Sequence, residues 1–228
     1  MPLPDHITGP AGPLQILAEG FETTTNTGIA VVCHPHPLHG GTMTNKVVTT
    51  TAKALRDLGM GTLRFNFRGV GESAGQYDHG NGETEDLLAV IDWVRQDIAG
   101  PVWLAGFSFG AYVALRAVSR RPIDRLITIA PPVNLYDFNT IAPIPCPWLL
   151  IQGDADQVVP CEDVKHWVKS LSHPPTTIYF KGVEHFFHRR LVELRKTLVT
   201  ALRPALQQPE RVKQPNAAPY RLKPPPHR

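Results

Sequence analysis

The chain has 228 residues, 42% hydrophobic and 19% charged, which is too apolar for a disordered polymer. Its formal charge is +3, but residues 207–228 hold five Lys/Arg against one Glu, so residues 1–206 carry −1. A body without basic excess argues against nucleic-acid binding as its main role, and no run approaches the ~18 apolar residues of a membrane span. Three cysteines (Cys33, Cys146, Cys161) do not make a paired disulfide framework. The opening MPLPDHITGP has neither a basic start nor an apolar run. No signal peptide is therefore expected, and the composition reads as one soluble domain in a reducing, cytoplasmic setting.

Of the 23 prolines, four fall in residues 1–13 and six in 207–228. These ends are expected to be an extended N-terminal arm (1–13) and a disordered, basic tail (207–228) around a folded domain at 14–206. Within the domain, 14–22 reads as a first strand, followed by 28–35 (GIAVVCHP). Only five residues separate the two, too few for a parallel crossover, so the first should run antiparallel. The spacing predicts a helix over 45–58, with Val47, Val48, Thr51, Ala52, Leu55 and Leu58 on one face, Asn45 as N-cap and Gly59 as the stop. Strand 60–68 (MGTLRFNFR) follows, then a helix over 83–98 with Leu87, Leu88, Ile91, Val94 and Ile98 on one face. Its first turn carries Glu83, Glu85 and Asp86, favourable to the helix dipole. Strands 101–107, 125–131, 146–153 and 176–182 then alternate with helices 109–120, 162–171 and 189–206. Such alternation implies a doubly wound α/β fold, a mostly parallel sheet of about seven strands covered on both faces.

Chemistry enters at Gly106-Phe107-Ser108-Phe109-Gly110, directly after the run VWLA and before a helical pattern. A serine raised on a sharp strand-to-helix turn needs small residues two positions to either side, because the backbone is crowded there. Ser108 is thus the candidate nucleophile. It requires a base and an orienting acid, supplied in the order Ser, acid, His from the ends of later strands. Of the histidines late in the chain, His166 falls inside a predicted helix, His173 precedes the last strand and His227 is in the tail. His185 follows the strand TTIYFKG directly and is preferred to His188, three residues on. For the acid, WLLIQG ends in Asp154-Ala155-Asp156, and both carboxylates sit at a strand's C-terminal end. Position alone does not separate them, and Asp137 is a more remote alternative.

The set GFSFG, QGDADQVVP and GVEHFF resembles the α/β-hydrolase superfamily in order and spacing. HPHPLHGGTMTNK and FNFRGVGESAGQYDHGNGETED further resemble a group of small bacterial hydrolases within it. The resemblance covers about residues 14–205 and implies an α/β-hydrolase fold. Related sequences carry the acid on the Asp of GxxDxxVP, here Gly153 to Pro160, which selects Asp156; the same carry-over selects His185. It also makes Cys33–Gly41 the loop that supplies one oxyanion donor. Pro35 and Pro37 have no N–H, leaving His36 or Leu38; alignment with the family favours His36 through its main chain. The second donor is expected from the N–H of Phe109.

Two competing motifs are weaker. His34, His36 and His39 could be read as a metal cluster, but Leu38 stands where a metallo-β-lactamase-like motif has Asp, and a metal leaves GFSFG unexplained. Gly69 to Ala74 matches GxGxxA, yet a dinucleotide fingerprint must open a helix at once, whereas GQYDHGNG follows. That segment reads as a structural loop in which Arg68 and Ser73 brace the site. The expectation is therefore a serine esterase acting on a small-molecule ester, with thioester or amide cleavage as variants and a non-catalytic binding protein as the other class. No metal or organic cofactor is implied, nor a nucleic-acid or membrane partner. The gap between strands 125–131 and 146–153 contains Pro132, Pro143 and Pro145 and is too short for a lid of two helices.

Overall fold

A computed structural model describes residues 3–21, 27–97 and 100–207. Among these residues, eight strands form one sheet and five α-helices cover its two faces. The strands are β1 (His6–Gly9), β2 (Gly12–Glu19), β3 (Ile29–Cys33), β4 (Gly61–Phe65), β5 (Val102–Phe107), β6 (Arg125–Ile129), β7 (Trp148–Gly153) and β8 (Thr176–Phe180). The helices are α1 (Lys46–Arg56), α2 (Asn81–Asp97), α3 (Phe109–Ala117), α4 (Cys161–Ser170) and α5 (Leu191–Gln207). The strand order is β1-β2-β4-β3-β5-β6-β7-β8, parallel from β4 to β8, with β2 antiparallel to β4.

Every residue of β3, β4, β5 and β7 is buried, as expected of strands covered on both sides. One apolar layer joins Leu87, Ile91 and Val94 of α2, Val113 of α3 and Val164 of α4 to the sheet. The other holds Val48, Ala52 and Leu55 of α1 and Leu194, Leu198 and Leu202 of α5. Asn45 caps α1, its side chain accepting from the N–H groups of Val47 and Val48. The helix ends at Arg56, and the chain reverses through Gly59 at φ +84°. Arg195 of α5 grips Asp57 with two hydrogen bonds of 2.6 Å, locking the two helices of that face together.

The sheet has one strand more than the sequence suggests. Residues 1–13 read as an extended arm, but His6–Gly9 pair antiparallel with β2, with Ile7 opposite Leu14. Both side chains are buried, so the hairpin adds to the core. Prolines 4, 10 and 13 are compatible because they lie outside the new strand or on its partner at the sheet edge. The expected tail lies outside the described residues apart from Gln207, which ends α5; Ile98 also lies outside them. Among the described residues no helix is long and apolar enough to cross a membrane. The β6–β7 connection contains only a 3-10 turn, Phe138–Thr140, and no lid.

Candidate active site

Strand β5 passes into α3 through a single residue, Ser108, with φ 52° and ψ −120°. That conformation is unfavourable for a residue with a side chain and is held by its surroundings. The Ser108 N–H donates to the Ile129 carbonyl. The flanking glycines are required by contact rather than by φ. A Cβ on Gly106 would lie 2.2 Å from the Gly110 carbonyl oxygen, and one on Gly110 would lie 2.5 Å from that of Cys33. Strand, turn and helix can approach this closely only without those side chains.

Residues 108, 156 and 185 come together at the C-terminal edge of the sheet. His185 Nε2 lies 3.1 Å from Ser108 Oγ, and its Nδ1 lies 2.8 Å from Asp156 Oδ2. A carboxylate can only accept, so Nδ1 carries the proton and Nε2 faces the hydroxyl with its lone pair. His185 is 3% exposed and packs against the rings of Phe107 and Phe186, at centroid distances of 5.1 and 5.0 Å. Asp156 is fixed from behind: its Oδ1 accepts from the N–H groups of Val158 and Val159 at 2.9 and 2.8 Å. Its Oδ2 also accepts from Gln152 Nε2 at 3.1 Å.

The alternatives are elsewhere. Asp154 Oδ1 accepts from the Gly182 N–H at 2.6 Å and ties two loops together. Asp137 caps the 3-10 turn, and the exposed His188 pairs with Glu184 at 2.7 Å. In the loop after β3, the Leu38 N–H donates to the His36 ring at 3.2 Å, so it is already engaged. No acceptor among the described residues takes the N–H of His36 or of Phe109.

The competing motifs resolve into structural parts. His34 is fully buried; its Nε2 accepts from the Phe67 N–H at 3.0 Å while Nδ1 faces the Pro35 carbonyl at 2.6 Å. Burial pushes this imidazole down to about 4, so it is neutral at pH 7. Among the described residues no three His, Cys, Asp or Glu side chains converge as a metal site. Residues 69–74 form a turn closed by the Gly69 N–H on the Ala74 carbonyl, with no helix before Asn81. Arg68 grips the buried Asp86 through Nε and Nη2 at 3.0 and 2.7 Å, and Ser73 Oγ bridges the Asn66 carbonyl and the Gln15 N–H. Sequence reasoning missed Gln152 and the ring pair around His185. The available signal for Gln152 was one polar residue near the end of an otherwise apolar strand.

A mostly parallel sheet, a strained serine elbow and a histidine beside it from the last strand's loop define an α/β serine hydrolase. The chain belongs to that family: residues 31–144 match the family described as "Serine aminopeptidase, S33". It is 44% identical over 187 residues to an uncharacterized protein of Rickettsia prowazekii, covering 77% of this chain and 79% of that one. The crystal structure of XC6422 from Xanthomonas campestris, described as an α/β serine hydrolase without lid, matches with a TM-score of 0.83. The identity is 46%, over 87% of this chain and 92% of that one. An α/β serine hydrolase homologue from Coxiella burnetii gives the same TM-score at 49% identity, covering 86% and 95% of the two chains.

Proposed function

We propose that the protein hydrolyses carboxylic esters of small, dissolved acyl groups through an acyl-enzyme. The carrying observation is the continuous hydrogen-bonded row Ser108 Oγ, His185, Asp156, at 3.1 and 2.8 Å. Ser108 Oγ attacks the acyl carbon as its proton passes to His185 Nε2. The carbonyl electrons move onto oxygen, held by the N–H groups of Phe109 and His36, each donor being worth ~3–4 kcal/mol in the transition state. Collapse expels the alkoxide, which takes the proton from His185. Water then repeats the sequence on the acyl-serine and releases the acid. Asp156 holds the imidazole in the required tautomer and stabilises its charged form. The same groups would serve a thioester or an amide; an ester is preferred to an amide because an alkoxide leaves with less assistance than an amine. Four exposed apolar side chains, Leu38, Leu135, Val158 and Phe186, lie on the loops that follow β3, β6, β7 and β8, which supports an apolar acyl group. We place the reaction in the cytoplasm, in keeping with three unpaired cysteines.

The test is fluorophosphonate labelling followed by a panel of acetyl to long-chain esters with matched thioesters and amides. The expected result is one adduct, on Ser108, lost in Ser108→Ala with the fold unchanged. Undiminished labelling of that variant would refute the assignment, and an unlabelled, inert wild-type protein would favour a non-catalytic binding role.

A further inference from the structure

Gln152, next to last in β7, is a fully buried polar residue in an otherwise apolar strand, WLLIQG. Its Nε2 has three oxygens around it: Asp156 Oδ2 at 3.1 Å, the Val159 carbonyl at 3.0 Å and the Gly153 carbonyl at 3.3 Å. All three only accept, so the carboxamide has one allowed orientation. Rotating it by half a turn would set its oxygen against a carboxylate and two carbonyls. In the orientation kept, Gln152 Oε1 is buried and meets no donor among the described residues. An unsatisfied buried acceptor is unfavourable, and an apolar residue of the same shape would avoid it. The orphan oxygen is thus the consequence of keeping an N–H donor at this point.

That donor lands on Asp156 Oδ2, the same oxygen that accepts from His185 Nδ1. We propose that Gln152 is a positioning residue for the acid, fixing the rotation of the Asp156 carboxylate and moderating its pull on His185. This rests on the reading of Ser108, Asp156 and His185 given above. The Val158 and Val159 amides secure only Oδ1. Gln152 acts on the oxygen that faces the imidazole, and its second contact, to the Val159 carbonyl, ties it to that same turn. Withdrawing the donor leaves Oδ2 a stronger acceptor, so protonated His185 is stabilised and its pKa rises. The other titratable groups at hand keep their own engagements. Ser108 faces Nε2, Glu184 is turned to His188, and Asp154 holds the Gly182 N–H. The Cys161 thiol, which Asp154 and Asp156 both influence, is pushed up chiefly by burial.

The experiment compares wild type with Gln152→Met and Gln152→Leu, which remove donor and orphan acceptor together. Three readouts are taken: thermal stability, the imidazole titration of His185 by NMR, and kcat and KM against pH on a dissolved ester. The expected variants are folded and at least as stable as wild type, with the His185 pKa raised by about half a unit to one unit. The acid limb of kcat/KM should follow it upward, and kcat should fall roughly tenfold at unchanged KM. An unmoved titration with unchanged kcat would overturn the proposal, as would loss of fold in both variants, which would make Gln152 a packing residue. Because the NMR titration needs no turnover, it reads the role of Gln152 even if ester hydrolysis itself fails.

Discussion

The peptide N–H of Ser108 donates to the carbonyl oxygen of Ile129 at 2.8 Å, pinning the elbow to the end of the neighbouring strand β6. The proposed nucleophile is therefore held from the side by a strand that contributes no residue to the proposed triad. Its strained φ of 52° persists because this bond and the close approach around Gly106 and Gly110 over-determine it.

That strain is measurable. Both Ser108→Ala and Ser108→Gly remove the hydroxyl and should abolish labelling, but only glycine adopts the backbone of the elbow without strain. Ser108→Gly should unfold about 1 kcal/mol higher than Ser108→Ala in urea melts. Equal midpoints would mean that the turn is not strained.

The two acids after β7 should behave differently. Asp156→Asn presents an amide to His185 Nδ1 and disfavours the required tautomer, so turnover should fall by ~10³–10⁴. Asp154→Asn still offers an oxygen to the Gly182 N–H and should stay within a few-fold of wild type. Parallel kcat measurements check this; a larger loss at 154 would reverse the assignment.

His34 predicts an acid-side stability loss. Burial lowers its pKa from 6.5 to about 4, so the unfolded chain takes up the proton first as pH falls. This contribution to stability is present above pH 6.5, declines between pH 6.5 and about 4, and is constant below; its full size is about 3 kcal/mol. His34→Gln, which can still accept from the Phe67 N–H, should lack that part of the slope. Unfolding free energies at several pH values in both proteins decide it.

The β6–β7 connection bears on kinetics. With only Phe138–Thr140 as a turn there, that connection holds no apolar cover to open at an oil–water boundary. Short-chain esters should show ordinary saturation, with no jump in rate at the solubility limit. Sharp interfacial activation would contradict it.

Much of the fold was legible because strands buried on both faces appear as continuous apolar runs, and the glycine spacing around Ser108 reflects contacts that forbid a Cβ. The choice between Asp154 and Asp156 was not legible from position, since both follow the same strand within three residues. It depends on which carboxylate the amides of Val158 and Val159 turn toward His185. Strand β1 escaped notice because its neighbouring prolines suggest an arm, whereas an edge hairpin accommodates them. Gln152 was missed because a lone amide carries no periodic signal; its significance lies in three acceptors supplied by residues 153, 156 and 159.

Strand β8 has a single neighbour, β7, while Ser108 stands at the end of β5 in the middle of the sheet. His185 is delivered by the loop that follows this outer strand, four of whose five residues are at least partly exposed. Outer strands are the first to open in a subglobal fluctuation, since fewer bonds hold them. Opening of this rim would take the imidazole away while the central strands and the serine stay in place. In a denaturant series, ester turnover should fade at lower concentrations than the far-ultraviolet signal, and amide exchange along 176–180 should outpace that of 102–107.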